Sequence, residues 1–167
     1  MGEADMALGG FRLEDIEKFR RVMSQLTEVL RRRYVRKALY KGGEVVRKAS
    51  QSVTPVLSAP IYRRGKLIRK PGTVRDAITV RRSKDIERDR NLVGVFVNVK
   101  PAPSAERGAN SPTDPFYWRF VHFATKKNRN PTPFLIIGAR ELEGRALREI
   151  ETSLTADFNR ISNEGLK

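Results

Sequence analysis

The sequence predicts an α+β fold, in which a small, mainly antiparallel β-sheet packs against two long helices, with an additional N-terminal helix and long loops. Three observations lead there. Apolar residues recur at three- and four-residue spacing near both ends of the chain, the pattern of amphipathic helices. Between them, Val93, Val95, Val97 and Val99 alternate with Gly94, Phe96 and Asn98, as in a half-buried strand. Stretches rich in proline and glycine separate these segments and read as loops.

In chain order, residues 1–10 read as a flexible lead with Gly2, Gly9 and Gly10, residues 11–161 as one domain, and residues 162–167 as a C-terminal tail. Ile16, Phe19, Met23, Leu26 and Leu30 share one stripe of a helix over 13–30, whose acidic opening at Glu14 and Asp15 suits the positive end of a helix dipole. Val35, Leu39, Val45, Val46, Ala49 and Val53 predict a second helix over 34–53, stopped before Pro55. Gly42 and Gly43 inside it would together cost about 2 kcal/mol against alanine, so the pair is read as a place where a neighbouring backbone comes close. Pro55 to Gly72 carries Arg63, Arg64, Lys66, Arg69 and Lys70 without an acidic residue and reads as an exposed basic loop. Strands are expected at 77–82 and 92–99, joined by a charged hairpin loop from Ser83 to Asn91 too polar to be buried. Pro101 to Pro115 holds four prolines and is expected to be a long irregular excursion.

Five of the chain's thirteen aromatics then fall between Phe116 and Phe123, a density that reads as a packed structural corner because rings bury large areas at low rotamer cost. After it, Leu142, Ala146, Ile150, Leu154, Phe158 and Ile161 predict one long helix over 134–161, entered at Pro133-Phe134. Acidic residues prevail on this helix, among them Glu141, Glu143, Glu149 and Glu151. In a basic chain they are candidates to meet the basic loop of a neighbouring copy, a head-to-tail contact that closes into a ring.

The 34 Lys and Arg residues stand against 19 Asp and Glu, a net charge of +15, so an anionic partner is expected: nucleic acid, an acidic protein surface or a membrane surface. Without cysteine there is neither a disulfide framework nor a thiolate metal site, and the single histidine excludes multi-histidine sites. No apolar run reaches the roughly 20 residues of a bilayer span, and residues 1–10 lack a signal-peptide centre, so no membrane association or secretion is expected. A nucleotide-binding glycine loop is missing, and no cofactor is expected. His122 has no local partner set for general-base chemistry and reads as an imidazole bonded to a backbone group between aromatics, so no enzymatic activity is expected. Tyr117, Trp118 and Phe120, beside Arg119, Lys126, Lys127 and Arg129, also suit a stacking platform for single-stranded nucleic acid, although packing against the core is the favoured use.

The order of helix, basic loop, two strands and aromatic run, leading into a Pro-Phe-Leu-x-x-Ala helix start, resembles the lambdoid-type phage tail-component family over roughly residues 33–160. The matching residues are Phe116, Tyr117, Trp118, Phe120, Val121, His122, Phe123, Ala124 and Thr125, then Pro133, Phe134, Leu135 and Ala139. His122 and Ala124 stand where the family pattern has Glu and Gly, and the helix at 13–30 reads as an elaboration. The resemblance implies a non-enzymatic virion protein of the neck or tail top, assembled in the host cytoplasm as a homo-oligomeric ring, with a hexamer favoured. Its implied neighbours are connector or head-closure proteins and tail-terminator or tail-tube proteins, with packaged DNA in the lumen. The main alternative is a nucleic-acid-binding accessory protein that uses the basic residues of 61–75 and the Tyr117/Trp118 region.

Overall fold

The computed structural model describes residues 28–89, 91–126 and 128–164, together with Glu17, Arg20 and Ser24. The expected lead at 1–10 and most of the expected stripe at 13–30 lie outside the described residues, although Glu17, Arg20 and Ser24 are helical. The first continuous helix, α1, runs over Glu28–Val53. It crosses Gly42 and Gly43 without a break, and the reason is packing. A Cβ on Gly42 would lie 2.6 Å from Ile150 Cγ1, and one on Gly43 would lie 2.7 Å from Val80 Cγ1. The two glycines therefore admit the C-terminal helix and a strand on neighbouring faces of α1, which offsets their poor helix propensity.

Residues 55–72 were expected as a loop, but they hold a β-hairpin. Strand β1 (Ile61–Arg63) pairs antiparallel with β2 (Lys66–Arg69). Arg64 and Gly65 make the turn with φ of 50° and 74°, the left-handed conformation that a two-residue hairpin loop demands. Arginine in that position hides the turn from a reading of sequence, because Asn or Asp is the usual signal there. A short helix, α2 (Thr73–Asp76), follows. Strands β3 (Ile78–Arg82) and β4 (Val95–Val99) then pair antiparallel with Ile78 opposite Val99 and Val80 opposite Val97. There are thus two separate two-stranded sheets where one was expected. The β3–β4 connection is no open hairpin loop either: it contains a 3-10 turn at Ile86–Arg88 whose Glu87 is buried.

The aromatic run forms a short helix, α3 (Trp118–His122). The C-terminal helix is divided in two, α4 (Phe134–Glu141) and α5 (Glu143–Glu164), at Leu142, whose φ of −121° leaves the helical region. The apolar stepping runs unbroken through Leu142, so periodicity alone joins the two pieces. The final helix also continues to Glu164, past the expected end at 161.

The core gathers around Val74, Ile78, Val99 and Phe134, with Val53, Val97, Tyr117, Trp118, Val121 and Leu135 packed against it. Phe134 is fully buried, which contributes about 1.5–3 kcal/mol relative to an exposed ring. Helices α4 and α5 both lie along α1. A Cβ on Gly138 would fall on the backbone nitrogen and hydroxyl of Ser50, so α4 and α1 touch nearly backbone to backbone there. Lys37 of α1 also donates to Asp157 of α5 at 2.7 Å, across 120 residues of sequence.

Candidate functional site

The aromatic corner is held mainly by main-chain hydrogen bonds. Val121 O accepts from Thr132 N at 2.9 Å, Thr125 Oγ1 accepts from Asn128 N at 2.9 Å, and Phe120 O accepts from Asn128 Nδ2 at 2.8 Å. These bonds bring residues 128–133 back across α3, so the Pro133-Phe134 helix entry lands against the corner. Pro133 O then accepts from Ile136 N and Ile137 N, which starts α4. The backbone at Ala124 suits a residue with a Cβ, since Arg64 is the sole non-glycine with positive φ among the described residues.

His122 is buried, with ring centroids 4.9 Å from Phe134, 4.5 Å from Phe123 and 5.9 Å from Trp118. The aromatic enclosure is as expected, whereas the expected backbone bond is not made at Nδ1, which is buried without a partner. Burial pushes the imidazole below its usual pKa of 6.5, so the ring is neutral near pH 7. No carboxylate orients it, and the groups around it are rings, a setting for packing rather than proton transfer.

The corner is only partly covered. Tyr117 and Trp118 are half-buried against the core, but Phe120 and Phe123 are 57% and 52% exposed. Two large rings left open beside Arg119 form a surface fit for a protein partner. Arg69, expected among the free cations of the basic loop, instead lies against this corner. Its guanidinium carbon sits 4.9 Å from the Tyr117 ring centre and 5.4 Å from that of Phe116. Burial raises the Tyr117 phenol above its usual pKa, against the opposing effects of the Thr73 hydrogen bond and the Arg69 charge.

Arg63, Arg64, Lys66 and Lys70 remain exposed on the hairpin, and none pairs with a carboxylate among the described residues. Ile61 and Tyr62 are exposed beside them, Tyr62 at 60%. Of the acidic set, Glu141, Glu143 and Glu149 are exposed and Glu151 is half-buried; none of the four joins an ion pair among the described residues. Opposite charges thus occupy separate surfaces and leave each other unneutralised within one copy.

Sequence reading missed the cluster around Glu87. Both carboxylate oxygens accept from Arg36, at 3.2 and 3.0 Å; Arg82 donates a short bond to Oε2, and Arg32 approaches to 3.8 Å. Burial by itself would raise the carboxyl's pKa, but the hydrogen bonds and charges of Arg36 and Arg82 outweigh it and hold Glu87 below its usual value. No local signal marks this site, because Arg36 is 51 residues away in sequence.

The family model described as "Bacteriophage HK97-gp10, putative tail-component" matches residues 17–123. The chain belongs to this family of phage tail components. It is therefore a structural protein of the virion whose partners include other virion proteins. The match begins at residue 17, so much of the segment expected as an elaboration lies inside it, while the Pro133-Phe134-Leu135 helix start lies beyond its end. No curated protein and no solved structure matches the chain. Among the described residues, no helix is long and apolar enough to cross a membrane.

Proposed function

We propose that this tail component sits at the neck or tail top, where it forms a ring, with six copies favoured, that completes the tail and joins it to the DNA-filled head. Membership in the tail-component family over residues 17–123 carries the reading. The separated surface charges support it. The cationic hairpin of one copy and the Glu141, Glu143 and Glu149 surface of the next would neutralise each other head to tail, the contact type that repeats around a ring. Phe120 and Phe123 supply exposed rings for a neighbouring connector, head-closure, tail-terminator or tail-tube protein. The assembly would form in the host cytoplasm, with packaged DNA threading the lumen.

Electron microscopy of a lysate from phage bearing a nonsense mutation in this gene, against the complemented strain, tests the role. Filled heads beside separate tails, converted to whole virions by complementation, are expected. Intact particles in normal numbers would remove the joining role. The exposed cations of the hairpin would then favour the second reading, a nucleic-acid-binding accessory protein, with binding that weakens steeply as salt rises. Tyr117 and Trp118 are less apt for that role, being packed against the core.

A further inference from the structure

A furrow lies along α1, distant in sequence from the hairpin and the aromatic corner. Arg33, Arg36, Lys37, Tyr40, Lys41 and Glu44 line a hollow of ≈ 440 Å³ whose walls are mainly apolar. Long cationic side chains line such a surface with their stems and keep their charged heads at its rim. A second hollow of ≈ 330 Å³ shares Lys41 and Glu44 and continues past Lys48 to Leu142, at the junction of α4 and α5. Arg36 is held by Glu87 and Lys37 by Asp157. Arg33 and Lys41 are exposed and join no ion pair among the described residues. An apolar floor with a cationic rim suits an acidic, amphipathic peptide better than a phosphodiester backbone, which has nothing to bury in it.

This chain contains such a peptide. Residues 1–17 carry Glu3, Asp5, Glu14, Asp15 and Glu17 against one cation, Arg12, and place Leu8, Phe11, Leu13 and Ile16 among them. We infer that residues 1–17 of a second copy dock in the α1 furrow, with their carboxylates at Arg33 and Lys41 and their apolar side chains over Tyr40. A second copy is specified because Glu17, Arg20 and Ser24 are helical and exposed ahead of α1. Helical rise over that distance puts Glu17 about 24 Å from Arg33, leading away from the chain's own furrow. The inference rests on the ring reading only in requiring neighbouring copies.

The test uses full-length protein with the photoreactive residue p-benzoylphenylalanine in place of Tyr40, prepared as a mixture of isotope-labelled and unlabelled chains. Irradiation followed by mass spectrometry is expected to join position 40 to residues 1–17 in mixed-isotope pairs. An oligomer without those crosslinks, or with same-chain pairs alone, overturns the docking. In parallel, a synthetic peptide of residues 1–17 is titrated into the full-length chain. The double variant Arg33→Glu, Lys41→Glu should weaken its binding by at least about tenfold, and a peptide with Glu14→Lys and Glu17→Lys should recover binding to that variant. A chain that stays monomeric yet binds the peptide in this charge-dependent way supports the docking and removes the ring. A ring that ignores both the peptide and the double variant overturns the docking and leaves the ring standing. Loss of duplex-DNA binding in the double variant, without peptide binding by the parent, would make the furrow a nucleic-acid site and also overturn the docking.

Discussion

The hairpin at 61–69 and the turn at 83–89 look alike in sequence, since both are short, heavily charged and expected to be open to water. Their fates differ because of one residue. The turn carries Glu87, and that carboxylate draws Arg36, Arg82 and Arg32 inward until its own side chain is 1% exposed. The hairpin carries no carboxylate, so its cations stay in solvent, and only Arg69 turns inward, toward aromatic rings. A charged run thus becomes structure where it contains its own counterion, and remains surface available to a partner where it does not.

The largest effect that could break this contrast is Glu87→Ala. It leaves Arg36 and Arg32 turned toward a site without a counter-charge, and breaking a buried pair in this way typically costs 3–5 kcal/mol. The arginines are partly wetted, with Arg82 52% exposed and Arg36 28%, so a loss of about 2–4 kcal/mol is expected in urea unfolding followed by circular dichroism. A loss comparable to that from an ordinary surface substitution would mean that the turn is as dispensable as the hairpin.

A pH series separates the two buried titrating groups next. Glu87 is depressed in the folded chain, so its stabilisation is complete above its usual pKa of 4.5 and is lost as pH falls below it. His122 is also depressed, and because protonation then favours the unfolded chain, its loss begins as pH falls through 6.5. The expected stability curve therefore declines in two stages, and His122→Phe should remove the upper stage while leaving the lower one. A decline that starts only below pH 4.5 in the parent would contradict the buried, unprotonated state of His122.

The smallest expected change in stability comes from the triple variant Arg63→Ala, Arg64→Ala, Lys66→Ala, at about 0.5 kcal/mol or less per site, because exposed cations without partners contribute little to folding. Its effect should appear instead in assembly, as fewer whole virions under complementation. Destabilisation comparable to Glu87→Ala would show that the hairpin is bound into the fold as firmly as the turn.

Particular residues show how far the fold could be read in advance. The helix around Val35 to Val53, the strand pair built on Ile78, Val80, Val97 and Val99, and the Pro133-Phe134 helix entry were legible because each leaves a periodic or turn signal within a few residues. The break at Leu142 was not, since an apolar residue fits both a continuous helix and the junction of two. The β1–β2 hairpin was hidden by Arg64 in a left-handed position that usually advertises itself with Asn or Asp. Among the candidate site residues, the aromatic corner was legible as a cluster, but which rings it covers was not: Phe134 is enclosed, whereas Phe120 and Phe123 face outward.

By itself, the sequence determined the α+β class, the amphipathic faces, the excess of positive charge and the concentration of rings before α4, because these follow from composition and spacing along the chain. Tertiary structure alone decided which charges are neutralised. Glu87 finds Arg36 51 residues away, Asp157 finds Lys37 across 120 residues, and the glycines of α1 acquire their purpose only when Ile150 and Val80 arrive against them. Burying a charge or bringing two backbones together is costly unless the partner is already in place, so the choice belongs to the packed chain rather than to any local segment.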